Sequence, residues 1–336
     1  MASTESHPAT TSLPTCPICS GKDARFFANG TDRLFRAVEG SFVLLRCPNC
    51  RCVFQNPIPG EHEISRYYPR QYWWFSDGQG LTLAARILRQ LERSYREFVA
   101  RDHIRFLDRC ARRAAAGKKL LLDIGCGSGL LLHLARGRGF EPHGMDISEQ
   151  AVALARERYR IPVLQGKVGD DIWPPGQFDF VTMFHVLEHL PDPLAALRYV
   201  RRILKPDGHL IIQVPNVESL QARIFGARWY GLDVPRHLIN FSPHAANLLL
   251  QKSGFAVQDR ARFSLRDNPA SIASSLAPGL DPVGRSARAG SHSALRRALL
   301  ESAYFGMVLA SLPAALLESA LGYGGTIWLH ARPVRM

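Results

Sequence analysis

The chain has 336 residues, of which 46% are hydrophobic and 21% charged, a composition that excludes a largely disordered protein and favours one large domain with a smaller one. Its formal net charge of +13 predicts anionic partners, namely nucleic acid, a phosphorylated or carboxylated substrate, or an anionic membrane surface; solubility alone would also account for it. Residues 1–15 are polar, lack the apolar core of a signal peptide and are predicted to form a disordered leader.

Residues 16–60 contain two C-P-x-C motifs, whose cysteines are Cys16, Cys19, Cys47 and Cys50. Two thiolates on one tight turn can hold a metal ion, and two such turns close a tetrahedral four-cysteine site of the zinc-ribbon type. We therefore predict a zinc ribbon with one structural zinc, the alternative being two reduced turns without metal. Cys52 is interpreted as a bystander, and loss of the zinc is expected to unfold mainly this N-terminal unit.

Residues 61–117 are predicted to form an aromatic linker followed by an amphipathic helix. The linker carries an aromatic cluster that packs the ribbon against the main domain or, alternatively, lines a substrate cleft; its members are Tyr67, Tyr68, Tyr72, Trp73, Trp74 and Phe75. From residue 81 to residue 116, apolar side chains recur at three- and four-residue spacing, which predicts a helix. Its many arginines are interpreted as a solvated face.

Residues 118–336 alternate strand-like and helix-like segments, which predicts an α/β domain with a doubly wound, mostly parallel sheet. The first strand, residues 120–124, runs into the pattern D-x-G-x-G-x-G, which starts at Asp123. A strand, a glycine loop and a helix form a nucleoside site at the carboxyl end of such a sheet. A carboxylate at this position would repel a pyrophosphate but suits an ammonium group. The second strand ends at Asp146, about 20 positions after the loop, where an acid accepts ribose hydroxyls.

The glycine pattern resembles the first motif of class I S-adenosylmethionine-dependent methyltransferases. The resemblance implies a seven-stranded sheet whose last strand, residues 326–331, is antiparallel, here preceded by a helical insert at residues 266–325. S-adenosylmethionine is the implied cofactor. The residues expected to bind it are Asp123, Gly125, Cys126, Gly127, Gly129, Asp146, Ile147, Lys167, Val168 and Phe184. The sequence departs from the family after the third strand, where Lys167 and Val168 stand in place of the acid that often holds the adenine amino group.

The segment that begins at His185, H-V-L-E-H-L-P-D-P, follows the fourth strand and looks like the corresponding segment of small-molecule methyltransferases. It also matches the H-x-x-E-H pattern of zinc peptidases, but the preceding strand and the nearby proline argue against that function. Histidine can accept a proton at neutral pH, so we expect His185 to be the general base, with His237 as second choice and His189 with Glu188 as third. Two alternatives stay open: Glu188 and His189 hold a divalent ion, or the histidines only shape the pocket.

These patterns predict an S-adenosylmethionine-dependent methyltransferase that acts on an oxygen, or with less support a carbon, of a small-molecule, sugar or lipid-linked acceptor. The resemblance is to ubiquinone-pathway O-methyltransferases and to zinc-ribbon methyltransferases of natural-product and surface-sugar pathways. The alternative is an RNA methyltransferase whose ribbon and basic helix hold RNA. A binding module with a degenerate fold is disfavoured by the intact glycine loop. The sequence leaves the oligomeric state open.

We expect the chain to be cytoplasmic. A second expectation is peripheral contact with the inner face of an anionic membrane. The candidate element is the insert, where basic residues precede an apolar stretch at residues 303–317. This stretch is expected to be too short to span a bilayer and to be interrupted by Pro313. It is interpreted as an interfacial helix or, equally well, as part of a helix pair packed over the cleft.

Overall fold

The computed structural model describes residues 14–68, 83–112, 119–287 and 294–334. Its strands are β1 (Arg25–Gly30), β2 (Phe42–Arg46), β3 (Val53–Asn56), β4 (Lys119–Ile124), β5 (Phe140–Asp146), β6 (Val163–Gln165), β7 (Phe178–Phe184), β8 (Leu204–Pro215), β9 (Ile239–Asn240), β10 (Phe255–Ala261) and β11 (Thr326–Pro333). Its α-helices are α1 (Glu61–Ile64), α2 (Leu83–Ala111), α3 (Leu130–Arg136), α4 (Glu149–Tyr159), α5 (Pro193–Ile203), α6 (Leu220–Phe225), α7 (Pro243–Lys252), α8 (Asp267–Leu276), α9 (Pro282–Ala287) and α10 (Ala294–Ala320).

Some sequence predictions lie outside the described residues. They concern most of the leader and four members of the aromatic cluster, namely Tyr72, Trp73, Trp74 and Phe75. The other two members are described: Tyr67 is buried and Tyr68 is half-buried.

The main sheet has seven strands in the order β10-β11-β8-β7-β4-β5-β6. Strands β6, β5, β4, β7 and β8 pair in parallel, and β11 lies antiparallel between β8 and β10. This order confirms the doubly wound, mostly parallel seven-stranded sheet and its reversed last strand. The chain proceeds outward from β4 in opposite directions, so the carboxyl ends of β4 and β7 border the crevice where ligands bind in such sheets.

The central strands are continuous apolar runs because both of their faces are buried. In β4, both Leu121 and Leu122 are fully buried although their side chains point to opposite faces. Helices cover both faces of the sheet, so neither face requires polar residues.

Helix α4 begins after a capping residue, as the sequence predicts. The Ser148 hydroxyl accepts a hydrogen bond from the Ala151 amide, 3.2 Å away.

The N-terminal sheet is joined to the main part of the chain. Its order is β1-β2-β3-β9, and its fourth strand, β9, comes from the segment between the last parallel strand and α7. The two shared pairs are Val53 with Asn240 and Phe54 with Ile239. Phe54 and three of the knuckle cysteines belong to the same buried cluster as residues of the main sheet. Because this core continues into the main sheet, zinc loss is expected to destabilise part of the main sheet as well, and not mainly the N-terminal unit as the sequence predicted.

A buried ion-pair network reinforces this junction. The Arg236 side chain is fully buried, and its Nη2 lies 2.8 Å from Asp32 Oδ1 and 2.7 Å from Asp233 Oδ1. The guanidinium also stacks on the Phe35 ring, 4.3 Å from its centroid. Burial alone would lower the pKa of Arg236, but the two carboxylates raise it, so the cation is retained. Removing one partner of such a pair is strongly destabilising, because it leaves an unpaired buried charge.

The insert before β11 contains α8, α9 and α10. Helix α10 runs through Pro313 without interruption, so the expected break is wrong. The span Arg296–Ala320 is long and apolar enough to cross a membrane by length and composition, whereas the shorter uncharged stretch at residues 303–317 was expected to be too short. Helix α10 packs against α8, and α8 begins with Asp267 beside the crevice of the sheet.

Candidate active site

The glycine loop follows the carboxyl end of β4, at the crevice between β4 and β7 where ligands bind in such sheets. A side chain at Gly125 would bring its Cβ within 2.6 Å of Val186 Cγ2, so only glycine lets the segment after β7 pack on the loop. At Gly127, φ is +51° and a Cβ would meet no heavy atom of the described residues within 4 Å. The backbone of this residue is thus exposed to open space, as a loop that cradles a ligand must be.

Asp146 fixes the loop from the end of β5. Its carboxylate is buried and accepts hydrogen bonds from the backbone amide of Gly127, 2.8 Å away, and from that of Ser148, 2.9 Å away. Burial raises the pKa of Asp146, whereas these amides lower it. Each carboxylate oxygen keeps a further lone pair, which is what ribose hydroxyls require.

Asp123 is a buried acid without a cationic partner among the described residues. Its Oδ1 accepts a hydrogen bond from Thr182 Oγ1, 2.6 Å away, and its side chain is otherwise enclosed at the end of β4. Burial raises the pKa of Asp123 to about 7, opposed by the Thr182 hydrogen bond and aided by the charge of Asp146. An ammonium group beside it would restore the carboxylate, so the site fits the amino group of S-adenosylmethionine.

The other predicted cofactor residues differ in their exposure and in their contacts. The Ile147 side chain is 58% exposed, so it is available to pack on an adenine ring. Lys167 and Val168 follow β6 in a turn. The backbone amide of Lys167 donates a hydrogen bond to Asp170 Oδ2 in this turn, 2.7 Å away. Cys126 is buried below the loop. The Phe184 ring packs against Trp328, 5.3 Å between centroids, which gives it a role in the core at the end of β7.

His185 directly follows β7 and has a left-handed conformation with a φ of +57°. Its Nδ1 lies 3.1 Å from Glu188 Oε1, and its Nε2 lies 3.4 Å from Asp267 Oδ2. Burial alone would lower the pKa of His185, but the charges of Asp267 and Glu188 raise it to about 9. A histidine with that pKa carries a proton at neutral pH, which is unfavourable for a general base.

Asp267, the first residue of α8, was not predicted as a site residue from the sequence. Its Oδ2 also accepts hydrogen bonds from Gln213 Nε2, 2.6 Å away, and from Ser264 Oγ, 2.7 Å away. Burial alone would raise the pKa of Asp267, but the Arg266 and His185 charges hold it well below its ordinary value. Nothing in the local sequence signals this role, because the contact joins the insert to the end of a distant strand.

His189 and His237 form a pair, with ring centroids 4.6 Å apart. His189 Nδ1 lies 3.1 Å from the Arg236 carbonyl, and His237 Nδ1 lies 2.8 Å from the Gly231 carbonyl. The Gly231 carbonyl only accepts hydrogen bonds, so His237 Nδ1 carries the proton and His237 Nε2 keeps a lone pair. His189 Nδ1 also lies 2.9 Å from the Tyr68 hydroxyl, which can either donate a hydrogen bond to it or accept one from it. Burial lowers the pKa of His189 to about 4, which keeps this ring neutral.

Glu188 completes a group of three with these histidines. The carboxyl is fully buried, and its Oε2 has no hydrogen-bond partner among the described residues. One ligand atom from each of Glu188, His189 and His237 lies within 4.8 Å of the others. The group suits an acceptor hydroxyl, and it equally suits the divalent ion of the open alternative.

The four predicted zinc ligands converge in the N-terminal unit. One ligand atom from each lies within 4.8 Å of the others, and the Cys16–Cys50 and Cys19–Cys47 Sγ pairs are 3.5 Å and 3.4 Å apart. Four thiolates so placed fit one tetrahedral zinc, whose bonds to sulfur are about 2.3 Å long. Cys52 is closer than expected for a bystander, since its Sγ lies 3.4 Å from that of Cys50.

Comparisons with known proteins agree with this geometry. Residues 95–259 match a family model described as a methyltransferase domain. The chain is 31% identical over 163 residues to the ubiquinone biosynthesis O-methyltransferase of Pseudomonas aeruginosa, covering 44% of this chain and 68% of the relative. It is 30% identical over 175 residues to that of Aliivibrio fischeri, covering 49% and 74%. A solved S-adenosylmethionine-dependent methyltransferase from Archaeoglobus fulgidus is 20% identical, with a TM-score of 0.46 and coverage of 70% and 94%.

The sheet, the glycine loop and the two buried acids define an enzyme that binds S-adenosylmethionine. The chain belongs to the family of S-adenosylmethionine-dependent methyltransferases.

Proposed function

We propose that the chain transfers a methyl group to an oxygen atom of a small-molecule, sugar or lipid-linked acceptor. The observation that carries the proposal is the pair of His189 and His237, in which His237 Nδ1 faces the Gly231 carbonyl and its Nε2 therefore keeps a lone pair. A hydroxyl must lose its proton when it is methylated, and such a lone pair can take it. The names of the relatives, ubiquinone biosynthesis O-methyltransferases, support oxygen as the acceptor atom.

The proposed roles follow from the contacts. S-adenosylmethionine, when bound, supplies a methyl group on a sulfonium. Asp123 would hold its ammonium group and Asp146 its ribose, while Val186 packs the segment after β7 against the loop. Alignment of the acceptor can contribute several kcal/mol to catalysis.

We assign proton removal to His237 Nε2, which lies 3.9 Å from Asp233 Oδ2. His185 remains protonated and balances the charges of Glu188 and Asp267. This assignment reverses the order predicted from the sequence, in which His185 came first.

Zinc in the N-terminal unit is part of the proposal and has a structural role. The four thiols lie close enough together to hold one ion, and Cys16, Cys47 and Cys50 are buried in the shared core. All seven cysteines are free of disulfides, which supports a reducing, cytoplasmic setting.

RNA methylation is the second candidate, and one observation favours it. A cavity of about 600 Å³ opens between α2 and α3, and its lining includes Arg101, Arg105, Arg136 and Arg138. Such a concentration of guanidinium groups suits phosphates, as a nucleic-acid backbone would supply.

One experiment separates the two candidates. The chain is incubated with methyl-labelled S-adenosylmethionine and a fractionated extract, with and without ribonuclease. We expect label in a ribonuclease-resistant fraction of small molecules or lipids. Label that enters macromolecular material and disappears after ribonuclease treatment would establish RNA as the acceptor and refute the proposal.

A further inference from the structure

Helix α10 buries polar side chains and exposes large apolar ones, which is unusual for a helix in contact with water. Its buried positions recur at helical spacing and include the polar residues Ser311 and Glu318, together with Val308 and Ala315. Its exposed positions carry large apolar side chains, namely Leu299, Phe305, Leu309, Leu316 and Leu317. A surface helix ordinarily shows the opposite arrangement, so this exposed face needs a partner.

The exposed face is long and uncharged. Residues 302–317 contain no Asp, Glu, Lys or Arg, and at 1.5 Å per residue they extend over about 24 Å. Arginines stand at the amino-terminal end of the helix, where Arg296 and Arg297 are both exposed. An apolar face beside arginines is complementary to an anionic bilayer, into which the apolar side chains insert while the guanidinium groups meet the headgroups.

The opposite side of the helix remains attached to the protein. Glu318 Oε1 accepts hydrogen bonds from Gln221 Nε2, 2.6 Å away, and from the Gly325 amide, 3.0 Å away. Tyr304 approaches Ser274 of α8, with 3.0 Å between the hydroxyl oxygens. These contacts hold one side of α10 against the domain and leave the apolar side exposed.

We propose that the exposed face of α10 docks the enzyme on an anionic lipid bilayer. A second copy of the chain is the less suitable occupant, because each copy carries a net charge of +13 that repels another copy and attracts anionic lipid. Docking does not depend on the identity of the acceptor, and it extends the proposed function by placing the enzyme where a lipid-linked acceptor would be found. Helix α8 connects this face to the site, since it packs on α10 and begins at Asp267 beside His185.

The test is flotation of the full chain with vesicles, either of phosphatidylcholine alone or of phosphatidylcholine with phosphatidylglycerol. We expect the chain to float with the anionic vesicles, to bind at least about tenfold less to the neutral ones, and to detach as salt is raised. The double variant Phe305→Glu/Leu309→Glu should lose at least about tenfold in binding, and Arg296→Gln/Arg297→Gln should lose the preference for anionic vesicles.

The matched control is Phe26→Glu/Phe98→Glu, which places the same charges at two exposed aromatic positions outside α10. It should float like the parent chain, and every variant should bind S-adenosylhomocysteine like the parent, which shows that it is folded and tests the cofactor site separately. Absence of flotation for the parent chain overturns the proposal, as does an equal loss in the control. A concentration-dependent dimer that the Phe305→Glu/Leu309→Glu variant abolishes, without vesicle binding by the parent, would assign the face to self-association.

Discussion

Asp123 offers the most direct test of how burial and cofactor binding are linked. Its carboxyl ionises near pH 7 in the folded chain and at its ordinary value of 3.8 when exposed. The folded state therefore binds the proton more tightly than the unfolded state, and the free energy of unfolding falls as pH rises from 3.8 through about 7. At 1.36 kcal/mol for each pH step, the loss between about pH 5 and about pH 8 is on the order of 3 kcal/mol.

The variant Asp123→Asn removes this titration while its amide oxygen still accepts the Thr182 hydrogen bond. Relative to the parent chain, we expect the zinc-loaded variant without cofactor to gain about 3 kcal/mol of stability between about pH 5 and about pH 8, as measured by urea unfolding at both values. The same variant should bind S-adenosylhomocysteine more weakly, because it lacks the charge that pairs with the ammonium group.

The control for this experiment is Asp171→Asn, since the Asp171 side chain is 85% exposed and forms only a surface pair with Arg202. It should leave the pH profile unchanged. Saturating S-adenosylhomocysteine should remove most of the difference between the parent chain and Asp123→Asn. Parallel stability profiles for these two chains without ligand would show that Asp123 is ionised throughout, and the reasoning from burial would be refuted.

Three further predictions concern the other parts of the site. Asp146→Ala should weaken S-adenosylhomocysteine binding by roughly 1–3 kcal/mol through lost charge-assisted hydrogen bonds, and unchanged affinity in calorimetry would exclude its role. The purified chain should contain one zinc, and chelation should increase hydrogen exchange at residues 238–241 as well as 42–56; exchange confined to 42–56 would contradict the shared sheet. His237→Gln should lower turnover by about 10²-fold or more with cofactor affinity retained, whereas His185→Gln should lower it less, and the reverse order in assays at neutral pH would restore His185 as the base.

Much of the fold could be predicted because the decisive signals are local. The D-x-G-x-G-x-G pattern specifies a strand, a turn and a helix within a few residues, and the acid at Asp146 follows at the spacing that this architecture requires. The two C-P-x-C turns likewise place their thiols by short-range geometry, and the structure brings all four together.

The features that could not be predicted depend on contacts between distant segments. The pairing of His185 with Asp267 joins the residue after β7 to the insert, and the pairing of Arg236 with Asp32 joins the segment before β9 to the N-terminal unit. Strand β9 has only two residues, too few for a periodic pattern, yet it links the two sheets. Pro313 predicted a helix end by its own chemistry, but the helix formers on both sides and the packing on α8 outweigh a cost of about 3 kcal/mol.

The central claim, transfer of a methyl group to oxygen in the histidine-lined site, is tested most directly by the chemistry of the product. The acceptor fraction from the labelling experiment is methylated with S-adenosylmethionine carrying a ¹³C methyl group, and the product is examined by carbon NMR. We predict a methyl resonance in the region of oxygen-bound methyl groups, which His237→Gln largely removes at equal cofactor occupancy. A resonance of a nitrogen- or carbon-bound methyl group, or an undiminished signal from the variant, would contradict the account.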